Sequence, residues 1–324
     1  MRRSLVVAVL IALAAAGAAV AGNGGVAPVE PMSPNAEGIN DSYYWVSIFT
    51  GAILVGVHVA LIWFIVRYRR RRRARDEDGA QVHGNTNLEL AWTIVPVLIL
   101  VAIGSFVFYK LPGIQGVPAA SADGGRLDVT VEGARYYWNF EYPNGVISVD
   151  RLRAPVGQNV RLEIVAPDND VIHSWWIPAL GGKLDAIPGH VNVTWFNATA
   201  PGTYRGQCAE FCGIQHAEMK AEVEALPREE FEAWLEEEER AQAAGTSDLG
   251  EQTYLGACAK CHGLAGEGDI GLRLQGNALL ADTAGVEDVV RHGRRTMPPI
   301  GTDWGDRQMK ALTDYLEEEL LGGS

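Results

Sequence analysis

All four cysteines fall in two short motifs, and each motif carries more than cysteine. Cys208-Ala-Glu-Phe-Cys212-Gly-Ile-Gln-His216-Ala-Glu-Met219 places two thiols, an imidazole and a thioether within twelve residues. Soft sulfur ligands with imidazole suit copper or zinc, and His with Cys and a weak Met is a copper electron-transfer set. A disulfide or two buried thiols is the plainer reading, but it leaves His216 and Met219 without a role. The ligand types alone leave zinc open. The second motif, Cys258-Ala-Lys-Cys261-His262, is the attachment pattern of a c-type haem. Its thiols form thioethers to the vinyl groups, and His262 is the proximal iron ligand. A redox Cys-x-x-Cys or half a zinc site is the alternative. Neither needs the histidine, and no second ligand pair remains for zinc.

The distal iron ligand must lie downstream. Met297, in Arg295-Thr-Met-Pro-Pro-Ile-Gly301, resembles the Met-Pro loop of small bacterial cytochromes c. A Met/His pair raises the haem potential, which suits a donor to copper. Met309 reads as core of a terminal helix over 306–320, and His292 is a weaker rival.

The elements that carry these motifs differ along the chain. Arg126–Glu132, Val160–Val165 and His190–Phe196 alternate apolar and polar residues and are punctuated by Gly and Pro, as in a β-sandwich or barrel ending near Leu226. Residues 227–240 read as an acidic helix with Phe231, Trp234 and Leu235 as its apolar stripe, and 241–249 as a linker. Residues 250–324 carry helical patterns.

Two apolar segments precede all this, at about 43–66 and 90–109. Each has the roughly 20 residues that cross hydrocarbon as a helix, with aromatic residues near the ends. His58 in the first reads as a neutral histidine facing a partner helix. The Arg67–Arg75 run between the spans sets that loop on the cytoplasmic side. Residues 1–21 have the n-region, apolar core and Ala-x-Ala end of a signal peptide, with cleavage after Ala21.

The 324 residues carry a net charge of −13, and it is a sum of opposites. Nine of 27 basic groups lie before residue 76; beyond it 18 basic groups meet 37 acidic ones. Such an outer half excludes a nucleic-acid partner and suits basic electron donors.

Cys-x-Glu-x-Cys-Gly-x-x-His-x-x-Met resembles the binuclear CuA loop of cytochrome c oxidase subunit II. Lys183-Leu-Asp-Ala-Ile-Pro-Gly189, Asp170-Val-Ile-His-Ser-Trp-Trp-Ile-Pro178 and Tyr136-Tyr-Trp-Asn-Phe-Glu-Tyr142 resemble further stretches of that family, and the likeness runs over residues 40–226. It implies a multidomain membrane protein with a two-helix transmembrane hairpin (22–115), a cupredoxin-like Greek-key β-barrel (121–226), and an all-α class I cytochrome c domain (250–324). The copper ligands it implies are His173, Cys208, Cys212, His216, Met219 and the Glu210 carbonyl. The Glu210 carboxylate would serve a magnesium shared with subunit I. Glu89, at the mouth of the second span, would stand at a proton path into subunit I. Tyr136 falls where the family has its electron-receiving tryptophan, and Trp138 matches the second one. The fused haem segment resembles the caa-type oxidases.

The implied function is subunit II of a bacterial aerobic cytochrome c oxidase, a redox translocase. Electrons would pass from haem c through CuA to the haem a and CuB of subunit I, with no oxygen-reducing site on this chain. Subunit III, a cytochrome c or other donor protein and membrane lipid complete the partners. The place implied is the bacterial inner membrane, spanned more than once, with the soluble part on the periplasmic face. A CuA subunit of a nitric oxide reductase and a membrane-anchored carrier with no oxidase partner are the rivals. A quinol oxidase subunit, which lacks copper, is excluded by the intact ligand set.

Overall fold

The computed structural model describes residues 28–68, 81, 83–119 and 125–322. The signal-peptide reading and Arg69–Arg75 lie outside them. The chain forms two compact units, residues 38–114 and the remainder.

In the first unit, α1 (Pro34–Arg67) and α2 (Thr86–Gln115) are long and apolar enough to cross a membrane. Both exceed the expected spans, because the polar turns flanking the apolar cores continue the helical hydrogen bonding. Their apolar side chains stand exposed, Ile65 and Val66 at 69%. Hydrocarbon is the solvent that suits such a surface, since each helix satisfies its own backbone. Trp45 stacks on Phe106 with centroids 5.0 Å apart, and Lys110 pairs with Asp41 at 2.6 Å. His58 Nδ1 lies 2.8 Å from the Leu54 carbonyl, so the ring hydrogen is satisfied by its own helix.

The second unit is built on two main sheets. One has the order β3 (Ile147–Val149), β2 (Tyr137–Glu141), β1 (Arg126–Ala134), β5 (Asn159–Val165), β8 (Asn192–Phe196); the other β4 (Arg151–Pro155), β10 (Lys220–Leu226), β9 (Gly202–Gln207). β6 (His173–Trp175) pairs with β7 (Leu184–Ala186). The pairings β1–β5 and β4–β10 are parallel, so the chain crosses between sheets rather than running as simple hairpins. This is a cupredoxin-like sandwich. The alternation read in the sequence becomes its inner face: Val129, Val131, Leu162 and Ile164 are buried. Trp175 meets Trp138 and Phe140 edge-on at 5.2 and 5.6 Å, contacts worth about 0.5–1.5 kcal/mol each beyond area burial.

α3 (Arg228–Ala244) lays Phe231 and Trp234 against Tyr142, as its stripe predicts. It runs past residue 240 to Ala244, so much of the expected linker is helix. The reason is chemical: Ala-Gln-Ala-Ala favours helix, and Gly245 (φ 71°) ends it with its amide bonded to Ala241 and Gln242 carbonyls. Gln242 is buried, accepting from the Ile147 amide at 3.1 Å and donating to the Ile147 carbonyl at 2.7 Å, which closes the open edge of β3.

The C-terminal segment is all-helical: α4 (Leu249–Thr253), a wide turn (Tyr254–Cys258), α5 (Ala259–His262), α6 (Thr283–His292) and α7 (Asp306–Tyr315). Leu316–Leu321 continue α7 as a wider π-type turn, so the regular helix ends before Leu320. This segment shares a core with the sandwich, in which Tyr137 and Val149 pack with Tyr254, Trp304, Met309 and Leu312. Tyr137 is fully buried, its hydroxyl donating to Ile300 O (3.0 Å) and accepting from Trp304 Nε1 (2.7 Å).

Beside it, burial raises the Glu132 carboxyl from 4.5 to about 7, helped by Asp303, Asp170 and Glu141. A carboxyl raised on folding binds its proton more tightly in the native state, so the contribution of Glu132 to stability is greatest below pH 4.5 and is lost as pH rises through 7. Glu132→Gln is expected to remove most of that loss, which is on the order of 2 kcal/mol. Thermal midpoints of the full chain between pH 5 and 8 check it: an unchanged slope in the variant contradicts the assignment.

Candidate metal centres

The sandwich brings five side chains of the first motif set to one point. β6 contributes His173. The loop joining the paired strands β9 and β10 contributes Cys208, Cys212, His216 and Met219. The loop is stitched at its base by the Cys208 amide to Met219 O (2.9 Å) and to β6 by the Ala209 amide to Ser174 O (2.9 Å). Gly213 sits at φ 134° with a Cβ position 2.5 Å from the Tyr136 hydroxyl, so a side chain would collide there.

The donor atoms converge. Cys212 Sγ lies 3.9 Å from Cys208 Sγ, 3.5 Å from His216 Nδ1 and 3.8 Å from Met219 Sδ. His173 Nδ1 is 3.2 Å from Met219 Sδ and 4.0 Å from Cys208 Sγ. The Glu210 carbonyl oxygen is 3.2 Å from Cys208 Sγ. His173, Cys208, Cys212 and Met219 are buried. Among the described residues His173, Cys208 and Cys212 form a group able to hold a metal ion.

The electrostatics ask for a cation. The hydrogen bond from Cys212, ahead of those from His173 and two backbone amides, brings Cys208 down to about 3. Cys212 is pushed up, chiefly by that same hydrogen bond and then by burial. By itself the pair carries one thiolate; a second, 3.9 Å away in a dry site, needs positive charge between the sulfurs. A soft metal supplies it, so the donor set fits copper.

Sequence reasoning did not assign the groups behind His173. Asp170 Oδ1 lies 3.4 Å from His173 Nε2 and 2.6 Å from Arg135 Nε. Burial would raise Asp170, but the nearby His173 ring and hydrogen bonds from the Val171 and Arg135 amides bring it below its ordinary value. At 3.4 Å Asp170 faces Nε2 as a counter-charge without a hydrogen bond, and Nδ1 is the ring atom that faces the sulfurs. The signal in the sequence was Asp170-x-x-His173.

In the haem motif, His262 Nδ1 lies 2.7 Å from Leu272 O. A carbonyl only accepts, so Nδ1 carries the hydrogen and Nε2 keeps its lone pair. Burial pushes Cys258 up to about 12 and raises Cys261 as well. Redox-active cysteines are low-pKa thiols, so these sulfurs do not fit a thiol–disulfide catalyst. Leu264, Ile270 and Leu272 stand more than half exposed on the loop that carries the acceptor for His262, apolar surface of the kind a porphyrin covers. The residues therefore fit a covalent haem. Met297 is partly buried on a loop closed by paired amides between Arg294 and Met297 (2.9 and 3.0 Å). Met309 is buried in the core, and His292 is exposed beside Asp288.

The Glu210 carboxylate is half exposed, 3.8 Å from Lys183. Tyr136 is partly buried and Trp138 fully buried, with Trp138 6.3 Å from the His173 ring. Glu89 Oε1 accepts from the Asn85 amide at 3.4 Å at the start of α2.

Family models match three stretches: cytochrome c oxidase subunit II, transmembrane domain, at 28–109; cytochrome c oxidase subunit II, periplasmic domain, at 145–226; and cytochrome c oxidase, cbb3-type, subunit III, at 245–316. Cytochrome c oxidase subunit 2 of Alkalihalophilus pseudofirmus is 36% identical over 251 residues, covering 74% of this chain and 71% of that one. The chain belongs to the cytochrome c oxidase subunit II family. Subunit 2 of Bacillus sp. strain PS3 is 31% identical, over 78% of this chain and 69% of its own. The periplasmic domain of subunit II from Bradyrhizobium japonicum is 31% identical over 38% of this chain and 97% of its own, with a TM-score of 0.35. This member of the family has a cytochrome c domain fused at its C-terminus. It is a subunit of an oxidoreductase complex, membrane-anchored, with an extracellular domain. Its two soluble parts bind copper and haem c.

Proposed function

We propose that this chain receives electrons at a haem c held by Cys258, Cys261, His262 and Met297 and passes them through a binuclear CuA centre to the haem–copper site of subunit I. The observation that carries this reading is the buried cluster around Cys212, where two thiols, two imidazoles, a thioether and a backbone carbonyl meet. Bound there and at 258–262, the copper pair and the haem supply one-electron relays. The chain's own residues do the rest. His173, His216, Met219 and the Glu210 carbonyl would hold the copper with the two cysteines. Cys208 and Cys212 would bind as thiolates, Cys212 giving up its proton to the incoming positive charge. Asp170 faces His173 as a counter-charge, and burial keeps water from the sulfurs. A site so constrained changes little between redox states.

Tyr136 and Trp138 lie beside the cluster as the receiving aromatics. The Glu210 carboxylate would hold a magnesium at the boundary with subunit I, giving up Lys183. Glu89 would stand at the proton path, giving up the Asn85 amide. Subunit III, a cytochrome c or similar basic donor, and the lipid of a bacterial inner membrane complete the assembly. The Lys183–Gly189 stretch and Glu89 favour a chain docked on subunit I over a free-standing carrier.

Purified full chain is expected to hold one covalent haem and two coppers, and the purified complex to consume oxygen from a reduced donor. One copper or zinc alone removes the binuclear reading; reduction of nitric oxide without oxygen uptake moves the chain to a nitric oxide reductase.

A further inference from the structure

Lys260, the residue between Ala259 and Cys261 of the haem motif, is bonded to the copper-bearing sandwich at three points. Its Nζ donates to Tyr136 O and to Asp150 Oδ2, both at 2.7 Å. Its backbone carbonyl accepts from Gln215 Nε2 at 2.6 Å. The Lys260 side chain is 13% exposed, in surroundings where charge-assisted bonds are strong. Asp150 is held in turn: it sits at φ 59°, and its Oδ1 accepts from the Trp138 amide at 2.8 Å. Two residues before Cys258, Gly256 lies so close to β3 that a Cβ there would collide with Val149 Cγ1.

The haem pattern leaves both residues between its cysteines free, so it does not explain a lysine here. A plain interdomain ion pair would explain Nζ but not the Gln215 bond. Gln215 precedes His216, and Lys260 precedes Cys261. The chain from Cys261 to His216 is therefore covalent except for one 2.6 Å hydrogen bond. Tyr136 lies in the same seam. Its carbonyl takes Lys260, and its hydroxyl meets the backbone of Ile214 in the copper loop.

We propose that Lys260 and Gln215 are positioning residues that lock the haem-bearing segment onto the copper loop and provide the bonded route between the two centres. This rests on the reading that haem at 258–262 reduces copper at 208–219. One electron crosses at a time, lost by the donor and gained by the acceptor, with no covalent bond or proton moving. The tether alone gives high local concentration; the clamp gives a fixed geometry, so transfer within the chain should not depend on ionic strength.

The test uses the full chain loaded with both cofactors, as wild type, Lys260→Met, Lys260→Arg and Gln215→Asn. Asparagine is one carbon–carbon bond shorter, roughly 1.5 Å, and cannot keep the hydrogen bond. Two quantities are read: hydrogen exchange of peptides spanning 213–219, and the rate at which photoreduced haem reduces copper, followed in the haem and near-infrared copper bands. Lys260→Met and Gln215→Asn should raise exchange at least tenfold and slow transfer at least tenfold, and Lys260→Arg should stay within threefold of wild type. Lys260→Met lies outside the copper loop, so it decides the matter if Gln215→Asn loses copper. Rates and exchange within twofold of wild type in loaded Lys260→Met overturn the clamp. A loaded wild type with no transfer from haem to copper overturns the electron route instead, and hydrogen exchange still judges the clamp.

Discussion

Cys212→Ser is expected to empty the copper site while leaving the haem in place. Cys212 Sγ is the one donor within 4 Å of Cys208, His216 and Met219 together. Serine changes the volume little, so the loop keeps its backbone bonds. Its hydroxyl is a hard, protonated oxygen, a poor ligand for the soft metal that the remaining sulfur and nitrogen donors select. Copper content should fall at least tenfold, the near-infrared copper absorption should vanish, and electron transfer beyond the haem should fall at least a hundredfold. One covalent haem per chain should remain, because Cys258 and Cys261 belong to a separate segment of the fold. Metal analysis and the haem spectrum on one preparation decide it. A Cys212→Ser chain retaining two coppers would mean the cluster is not the site.

How much of this was legible in sequence follows from how local each feature is. The haem motif needs its cysteines and histidine on adjacent turns, so five consecutive residues disclose it. The copper loop likewise brings four of its five side-chain donors within twelve residues. His173 comes from a strand 35 residues earlier, and only the family resemblance pointed to it. Alternation disclosed β1 and β5, since each buries one face against the core. The groups that support the site were hidden for the opposite reason. Asp150 meets Lys260 across 110 residues, and Gln242 meets Ile147 across 95. No local period encodes such pairs. The linker misread has the same root. Ala-Gln-Ala-Ala has no apolar stripe, yet its propensity and the Gly245 cap carry the helix on, and Gln242 fastens it to β3.

Met297→Leu is expected to produce the largest change in the haem potential of any single replacement in the C-terminal domain. Two methionines remain downstream of the attachment motif, and they occupy opposite environments. Met309 lies on α7, 3% exposed among Trp304, Leu312 and Leu316. Leucine there conserves volume and should cost under about 1.5 kcal/mol with the haem spectrum unchanged. Met297 instead sits partly buried on a loop fixed by Gly293 (φ 73°), Arg295 (φ 56°) and the paired amides of Arg294 and Met297, followed by two prolines. That much backbone constraint around one flexible thioether has no core-packing purpose. Replacing the sulfur by carbon removes a ligand that favours ferrous iron, so the midpoint should fall by on the order of 0.1 V, within the roughly 0.8 V range that axial ligands span. At about 59 mV per decade for one electron, reduction by an upstream donor becomes roughly fiftyfold less favourable. Reduction of copper by the haem becomes more favourable by the same factor. Steady-state turnover should then be limited at haem reduction, and photoreduced haem should still pass its electron on. Potentiometric titration of both variants separates the two methionines: a shift in Met309→Leu with none in Met297→Leu moves the axial ligand to the helix and leaves the 293–299 loop without its purpose.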